Sequence, residues 1–311
     1  MKPFRKNLAI AVDGGGIRGL VVTQALSMLE DDLGAPIYTF SRLTAGTSTG
    51  AIIAAALGTG ISAKELNELY LTLGPQVFTK TWRKTFFPLT RYRYPDGPLV
   101  AFLKTYFGDK KMGDFWIGPT PTDVVITAFD LVDNRSKFIK SWKEEYADWP
   151  VVRAVQASCT VPTYFPVVEG RYIDGGVGAY SNPAYIAAYE AVNVLEWDPE
   201  ETTLLSLGTG RVPHHYDPEK GLRFFAWQWL GPMFGAFLNS ADDQQIHLVD
   251  TFFEKLDLRR YQVDLKETIE MDDVSDMGRL VNYGRLLGEM ILNDRLDRAM
   301  GVVASHPEDQ K

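Results

Sequence analysis

Hydrophobic and polar positions divide the chain into two kinds of segment. Short apolar runs occur at 8–12 (LAIAV), 42–46 (RLTAG), 123–129 (DVVITAF) and 202–207 (TTLLSL), each ending at a glycine or aspartate turn. Continuous runs of this length predict strands buried on both faces, as in a parallel sheet. Longer stretches with helical spacing lie between and after them, at about 20–32, 48–58, 150–158, 183–195 and 275–300. Ser62 and Glu65 have the spacing of a capping box and predict a further helix to about 73. Asn182-Pro183 predicts a chain break, with Asn182 capping the helix that follows. The alternation predicts an α/β fold with a central, mostly parallel sheet. No internal repeat or linker divides the 311 residues, so one domain over 1–311 is expected.

Composition narrows the function classes. With 45% hydrophobic and 12% aromatic residues, the chain can bury a large core. A net charge of -8 argues against nucleic acid as a partner. The single cysteine, Cys159, cannot pair within the chain, which suits a reducing compartment. MKPFRKN before LAIAV imitates a signal peptide, but its apolar stretch is too short. No run of eighteen apolar residues suggests a spanning helix. A soluble, cytoplasmic protein is expected, with peripheral membrane contact left open.

Three glycine-marked clusters carry the candidate chemistry. Asp13-Gly14-Gly15-Gly16-Ile17-Arg18-Gly19 follows the first strand, and consecutive glycines there let backbone amides converge on an anion. Gly46-Thr47-Ser48-Thr49-Gly50 is a G-x-S-x-G between strand and helix, which lifts a serine hydroxyl from a sharp turn. Asp174-Gly175-Gly176 follows the strand-like RYI at 171–173. Each cluster alone has a plainer reading. Gly14-x-Gly16-x-x-Gly19 also fits a dinucleotide loop, and Asp-Gly-Gly is commonly a turn. Four histidines are present, His214, His215, His247 and His306, and none lies at a glycine-flanked strand end. A histidine triad is the weaker option.

In this order, DGGGIRG at 13–19, GTSTG at 46–50 and DGG at 174–176 resemble the patatin-like phospholipase family. ASCTVPTYFPVVEGRYIDGGVGAYSNP at 157–183 and LSLGTG at 205–210 look like that family's supporting segments. The resemblance covers roughly residues 7–210. It implies a patatin-like three-layer fold, with helices on both faces of the sheet. It implies acyl-ester hydrolysis by a Ser–Asp dyad, with Ser48 as nucleophile and Asp174 as base. The amides around Gly14, Gly15 and Gly16 would form an oxyanion hole, reinforced by Arg18. Gly46, Gly50, Gly175 and Gly176 would support the turns. The implied substrate is a phospholipid, lysophospholipid or other fatty acyl ester, with no metal or cofactor. A base of this kind requires Asp174 to be partly desolvated. A nucleotide-binding protein using the 14–19 loop and a non-catalytic lipid-binding module are the alternatives.

Two further stretches suggest lipid contact. Residues 78–94 hold five basic residues, six aromatics and no acid, as a patch meeting anionic headgroups would. The plainer reading is a loop whose aromatics pack on the core. Residues 224–238 (FFAWQWLGPMFGAFL) are apolar but interrupted, fitting either a flap over an acyl channel or buried core. Cys159 reads as a buried spacer. Asp272, Asp273 and Asp276 lack the pattern of a calcium loop and are expected on a solvated face or at a helix cap.

Overall fold

Strand β1 (Asn7–Val12) is buried along its whole length and runs through the middle of a seven-stranded sheet. The computed structural model describes residues 1–79, 81–87, 89–117, 121–211 and 225–296. After β1 come α1 (Gly19–Leu33), β2 (Ser41–Gly46), α2 (Thr49–Gly58), α3 (Ala63–Val77), α4 (Trp82–Thr85) and α5 (Gly97–Phe107). The chain continues through β3 (Asp123–Asp130), β4 (Arg135–Lys140), α6 (Glu144–Ala147), α7 (Val151–Cys159), β5 (Tyr172–Asp174) and α8 (Ala184–Tyr189). It ends with β6 (Thr202–Leu207), α9 (Leu230–Phe252), β7 (Asp257–Tyr261) and α10 (Met277–Leu292).

The sheet order is β4-β3-β2-β1-β6-β7, with β5 paired to β3 beyond the end of β2. Strands β1, β2, β3, β6 and β7 are parallel, while β4 and β5 run antiparallel to β3. Alternation along β1 sets up the layers. Leu8, Ile10 and Val12 enter one core with α1, α2, α3 and α10, whereas Ala9 and Ala11 enter another with α8 and α9. The small side chains on that second face meet Ala184, Ala187, Ala188 and Ala191, which keeps helix and sheet close. On the first face, a Cβ at Gly284 or Gly288 would overlap Gln24 or Met28, so glycine lets α10 lie directly on α1.

The predicted α/β architecture with a mostly parallel sheet holds. The Ser62–Glu65 capping box is present, and α3 runs past its expected end to Val77 with Pro75 in its last turn. The 183–195 helix is α-helical to Tyr189 and then passes into a π-turn at Glu190–Val194. Strands β4 and β7 have no counterpart in the sequence expectations. Both carry charges that hide an apolar period, and in β7 those charges are buried because they are paired. Arg259 holds Asp257 at 2.7 Å and the carbonyls of Lys2 and Pro3 at 2.6 and 2.7 Å.

Candidate active site

The ends of three parallel strands bring the glycine clusters together. Val12 lies opposite Gly46 of β2 and Leu207 of β6, so the glycine loop, the serine turn and Gly208-Thr209-Gly210 leave the sheet side by side. Ser48 has φ 55° and ψ −122°. A residue with a Cβ in that region carries about 1–3 kcal/mol of strain and persists only where its neighbours enforce it. Its amide donates to Ser158 Oγ at 2.8 Å, and its carbonyl accepts from Cys159 Sγ at 3.1 Å. Cys159 is thus buried and bonded to the turn. A Cβ at Gly46 would strike the Gly50 carbonyl, and one at Gly50 would strike the Val12 carbonyl. Only glycine at both positions lets α2 start directly after Ser48, with its positive N-terminal end toward the serine.

Asp174 comes from the opposite direction, at the end of β5. It is 5% exposed. Oδ1 accepts from the Gly176 amide at 2.8 Å, while Oδ2 is buried and has no hydrogen-bond partner of good geometry among the described residues. Burial pushes its pKa up to about 6, opposed by the Gly176 amide and by the Ser48 hydroxyl. The Ser48 hydroxyl is therefore within reach of this carboxylate. Gly175 is required here because a Cβ would overlap Thr127.

The glycine loop packs against the serine turn. The Cβ position of Gly14 is 3.4 Å from Ser48 Cβ. Its amide is engaged, donating to Ser181 O at 2.8 Å, and its carbonyl accepts from Thr209 Oγ1 at 2.6 Å. Of the three amides expected to face an anion, those of Gly15 and Gly16 have no acceptor among the described residues. Gly16 has φ 59°, and a Cβ there would overlap the Met271 carbonyl, which itself accepts from the Ile17 amide at 2.9 Å. Arg18 turns inward, and its Nε donates to the Gly15 carbonyl at 3.3 Å. Burial lowers its pKa from the usual guanidinium range, against nearby Glu270 and Asp242.

Sequence reasoning missed the supports behind this loop. Arg260 of β7 grips both oxygens of the buried Asp13 at 2.9 and 2.5 Å and also reaches Ser206 Oγ at 3.0 Å. Asp242 of α9 stands close by, its pKa pushed up to about 7 by burial and then by the Asp13 charge. Ser158, Ser181 and Thr209 lie inside the 157–183 and 205–210 segments that carry the resemblance, but nothing in those segments assigns them these contacts. Asn182 Oδ1 accepts from the Ala184 amide at 2.9 Å, so it meets the first amide of α8 from one residue before the expected cap position, which Pro183 occupies.

An apolar cleft opens at Ser48. Its cavity volume is about 50 Å³, and it is lined by Ile52, Tyr70, Val77, Leu99, Phe165 and Met271 among others. Such walls favour hydrocarbon over polar groups, since burying each CH₂ is worth roughly 0.8 kcal/mol. The 78–94 stretch divides its aromatics between both expected roles. Phe78 and Tyr94 pack against each other and Phe165, whereas Trp82 and Phe86 are 62% and 57% exposed, with the aliphatic Leu89 beside them at 89%. In 224–238, Phe225, Trp229, Met233 and Phe237 are exposed, which excludes buried core for those side chains. Asp276 caps α10 by accepting from Arg279, as expected. Asp272 is different: it is buried, accepting from Tyr94 Oη at 2.7 Å and Lys84 Nζ at 2.9 Å. A solvated position for it is thus wrong, because its partners lie nearly two hundred residues away in the chain. His247 is exposed on α9, and His214, His215 and His306 lie outside the described residues. Among the described residues, no cluster of His, Cys, Asp and Glu has the arrangement of a metal site, and no helix is long and apolar enough to cross a membrane.

Comparison with known proteins identifies the family of the chain. A nematode protein, intracellular phospholipase A2 of Caenorhabditis elegans, is 33% identical over 230 residues, covering 68% of this chain. The match spans only 20% of that longer protein's length. Patatin-17 of Solanum cardiophyllum is 25% identical, with 89% of this chain and 82% of the patatin covered. Among solved structures, VipD from Legionella pneumophila shares the fold, with a TM-score of 0.50 at 12% identity over 94% of this chain and 67% of VipD. The family model for patatin-like phospholipases matches residues 10–188, more than half of the chain and all three glycine clusters. The chain therefore belongs to the patatin-like phospholipase family.

Proposed function

We propose that the protein is a lipid acyl hydrolase in which Ser48 attacks the ester and Asp174 moves the protons. The observation that carries this reading is a strained serine facing a buried carboxylate with a pKa of about 6, at the mouth of an apolar cleft. Asp174 takes the Ser48 hydroxyl proton as Oγ bonds to the carbonyl carbon. The carbonyl oxygen becomes an oxyanion, held by the amides of Gly15 and Gly16 and by the end of α2. Losing one such donor costs roughly 3 kcal/mol. Collapse expels the alcohol, which takes the proton from Asp174, and leaves an acyl-Ser48 ester. Asp174 then deprotonates a water that releases the fatty acid and restores Ser48.

Arg18 supports the hole by holding the Gly15 carbonyl and adding positive potential. The apolar cleft accepts an acyl chain, so phospholipids, lysophospholipids and related fatty acyl esters are the substrate class. The family, and a relative named as an intracellular phospholipase A2, support this class. The exposed apolar side chains in 78–94 and 224–238 support peripheral contact with a cytoplasmic membrane surface. A fluorophosphonate probe tests the nucleophile: label on Ser48 by peptide mass spectrometry supports the reading. Absence of label at Ser48, with ester turnover intact, would defeat it.

A further inference from the structure

The surface arm at 81–94 is tied to the catalytic loop by two adjacent residues. The arm leaves α3 just beyond the cleft-lining Val77 and Phe78. It returns where Arg93 and Tyr94 donate their amides to the carbonyls of Thr163 and Tyr164, at 2.9 and 2.8 Å. It carries Arg83, Lys84, Arg91 and Arg93 and no acid, on a chain of charge -8. Trp82, Phe86 and Leu89 project into solvent, and Arg83 stacks on the rings of Trp82 and Tyr92 at 4.9 and 4.5 Å. Exposed apolar anchors flanked by cations complement a bilayer with anionic headgroups.

Two of those cations are occupied from below. The buried Asp272 holds Lys84 Nζ at 2.9 Å and faces Arg93 at 3.8 Å, while Tyr94 donates to it at 2.7 Å. The Lys84 side chain is 39% exposed, so a headgroup phosphate can reach it. Met271, the residue before Asp272, lines the cleft and accepts the Ile17 amide at the end of the glycine turn. Asp272 and Met271 thus join the arm to the cleft wall and to the turn that carries the Gly16 amide.

We propose that the 81–94 arm docks on an anionic lipid surface, and that Asp272 transmits the docking to the glycine loop. Headgroup phosphates draw Lys84 and Arg93 away from Asp272. The carboxylate, left with Tyr94 alone, cannot stay buried in the same place. Met271 then moves off the cleft, and an acyl chain gains access to Ser48. The consequence for rate rests on the hydrolase assignment, whereas the docking and the coupled movement do not.

The test uses the full chain with phosphatidylcholine vesicles, with or without phosphatidylglycerol. Flotation measures docking, hydrogen exchange over residues 14–20 measures movement of the loop, and p-nitrophenyl butyrate hydrolysis measures access to Ser48. Selective flotation on the anionic vesicles is expected, with faster exchange in 14–20 and several-fold faster hydrolysis. Arg83→Glu with Arg91→Glu should abolish flotation and stimulation and keep the basal rate. Lys84→Gln, which leaves Arg93 and Tyr94 on Asp272, should raise exchange and rate without vesicles and reduce the response to them, whereas Asp272→Asn, with no charge to expel, should float on anionic vesicles yet lose the rise in exchange and rate. Equal flotation on both vesicle types overturns the proposal, and so does anionic docking with unchanged exchange in 14–20. No hydrolysis under any condition would overturn the hydrolase assignment instead, with flotation and exchange still deciding this proposal.

Discussion

Gly46 and Asp174 stand on the same edge of β3, opposite Ile126 and Ala128 respectively. Strand β4 occupies the other edge, so β2 and β5 share this one end to end. Strand β2 arrives parallel and turns off through Ser48, while β5 arrives antiparallel and stops at Asp174. The serine and the carboxylate meet because two strands run toward each other along a third. A one-residue slip of β5 would turn Asp174 to the opposite face of the sheet.

The pKa of Asp174 sets the pH profile. As the proposed base, it must be ionised, and burial raises its pKa to about 6. Hydrolysis of a soluble ester should therefore rise with pH through about 6 and level off above it. A profile of kcat/KM checks this: a flat rate from pH 5 to 8, at roughly the range where an ordinary aspartate is fully ionised, would remove Asp174 as the base.

The same burial makes Asp174 a burden on stability. An unfolded chain ionises this group near 3.8 and the folded one near 6, so the folded state holds the proton more tightly. Stability contributed by this site is lost as pH rises between those values, and the deficit is complete above about 6. Asp174→Asn should thus be more stable than the parent at pH 8, by about 3 kcal/mol at most, with the gain fading at pH 4. Thermal melts at the two pH values measure it, and a variant less stable at pH 8 would contradict the desolvation account.

Gly16→Ala should harm both fold and activity. Its φ of 59° and the Met271 carbonyl under it each oppose a Cβ. A stability loss of about 1–3 kcal/mol is expected, with a rate loss of roughly a hundredfold as the amide is displaced. Urea melts and ester kinetics separate the two effects.

Arg260 and Asp13 should couple strongly. Arg260→Met leaves Asp13 buried beside Asp242 without its cation, and a loss of about 3–5 kcal/mol is expected. Adding Asp13→Asn should recover much of that loss, because the uncompensated charge is gone. Denaturant midpoints for the four proteins of this cycle give the coupling, and simple additivity would show that the pair does not act as a unit.

The central strands were legible in the sequence because β1, β2, β3 and β6 are apolar on both faces, and local composition is enough to mark that. Strand β7 was not legible, since DLRRY looks solvated until Asp13, Lys2 and Pro3 come to meet its arginines. Asp272 was misread for the same reason. Ser48, Asp174 and the glycine loop stood out because sharp turns and close backbone approach demand glycine at fixed spacings. The division of labour among the three amides did not, because the acceptor that engages Gly14 is the carbonyl of Ser181, a group every residue possesses.

The most direct test of Ser48 and Asp174 acting together is p-nitrophenyl ester hydrolysis by four proteins. These are the parent, Ser48→Ala, Asp174→Asn and a His214→Ala/His215→Ala variant, all checked for folding. Near-complete loss is predicted in the first two variants, with a mild effect in the third. An active Asp174→Asn beside a dead histidine variant would contradict the account.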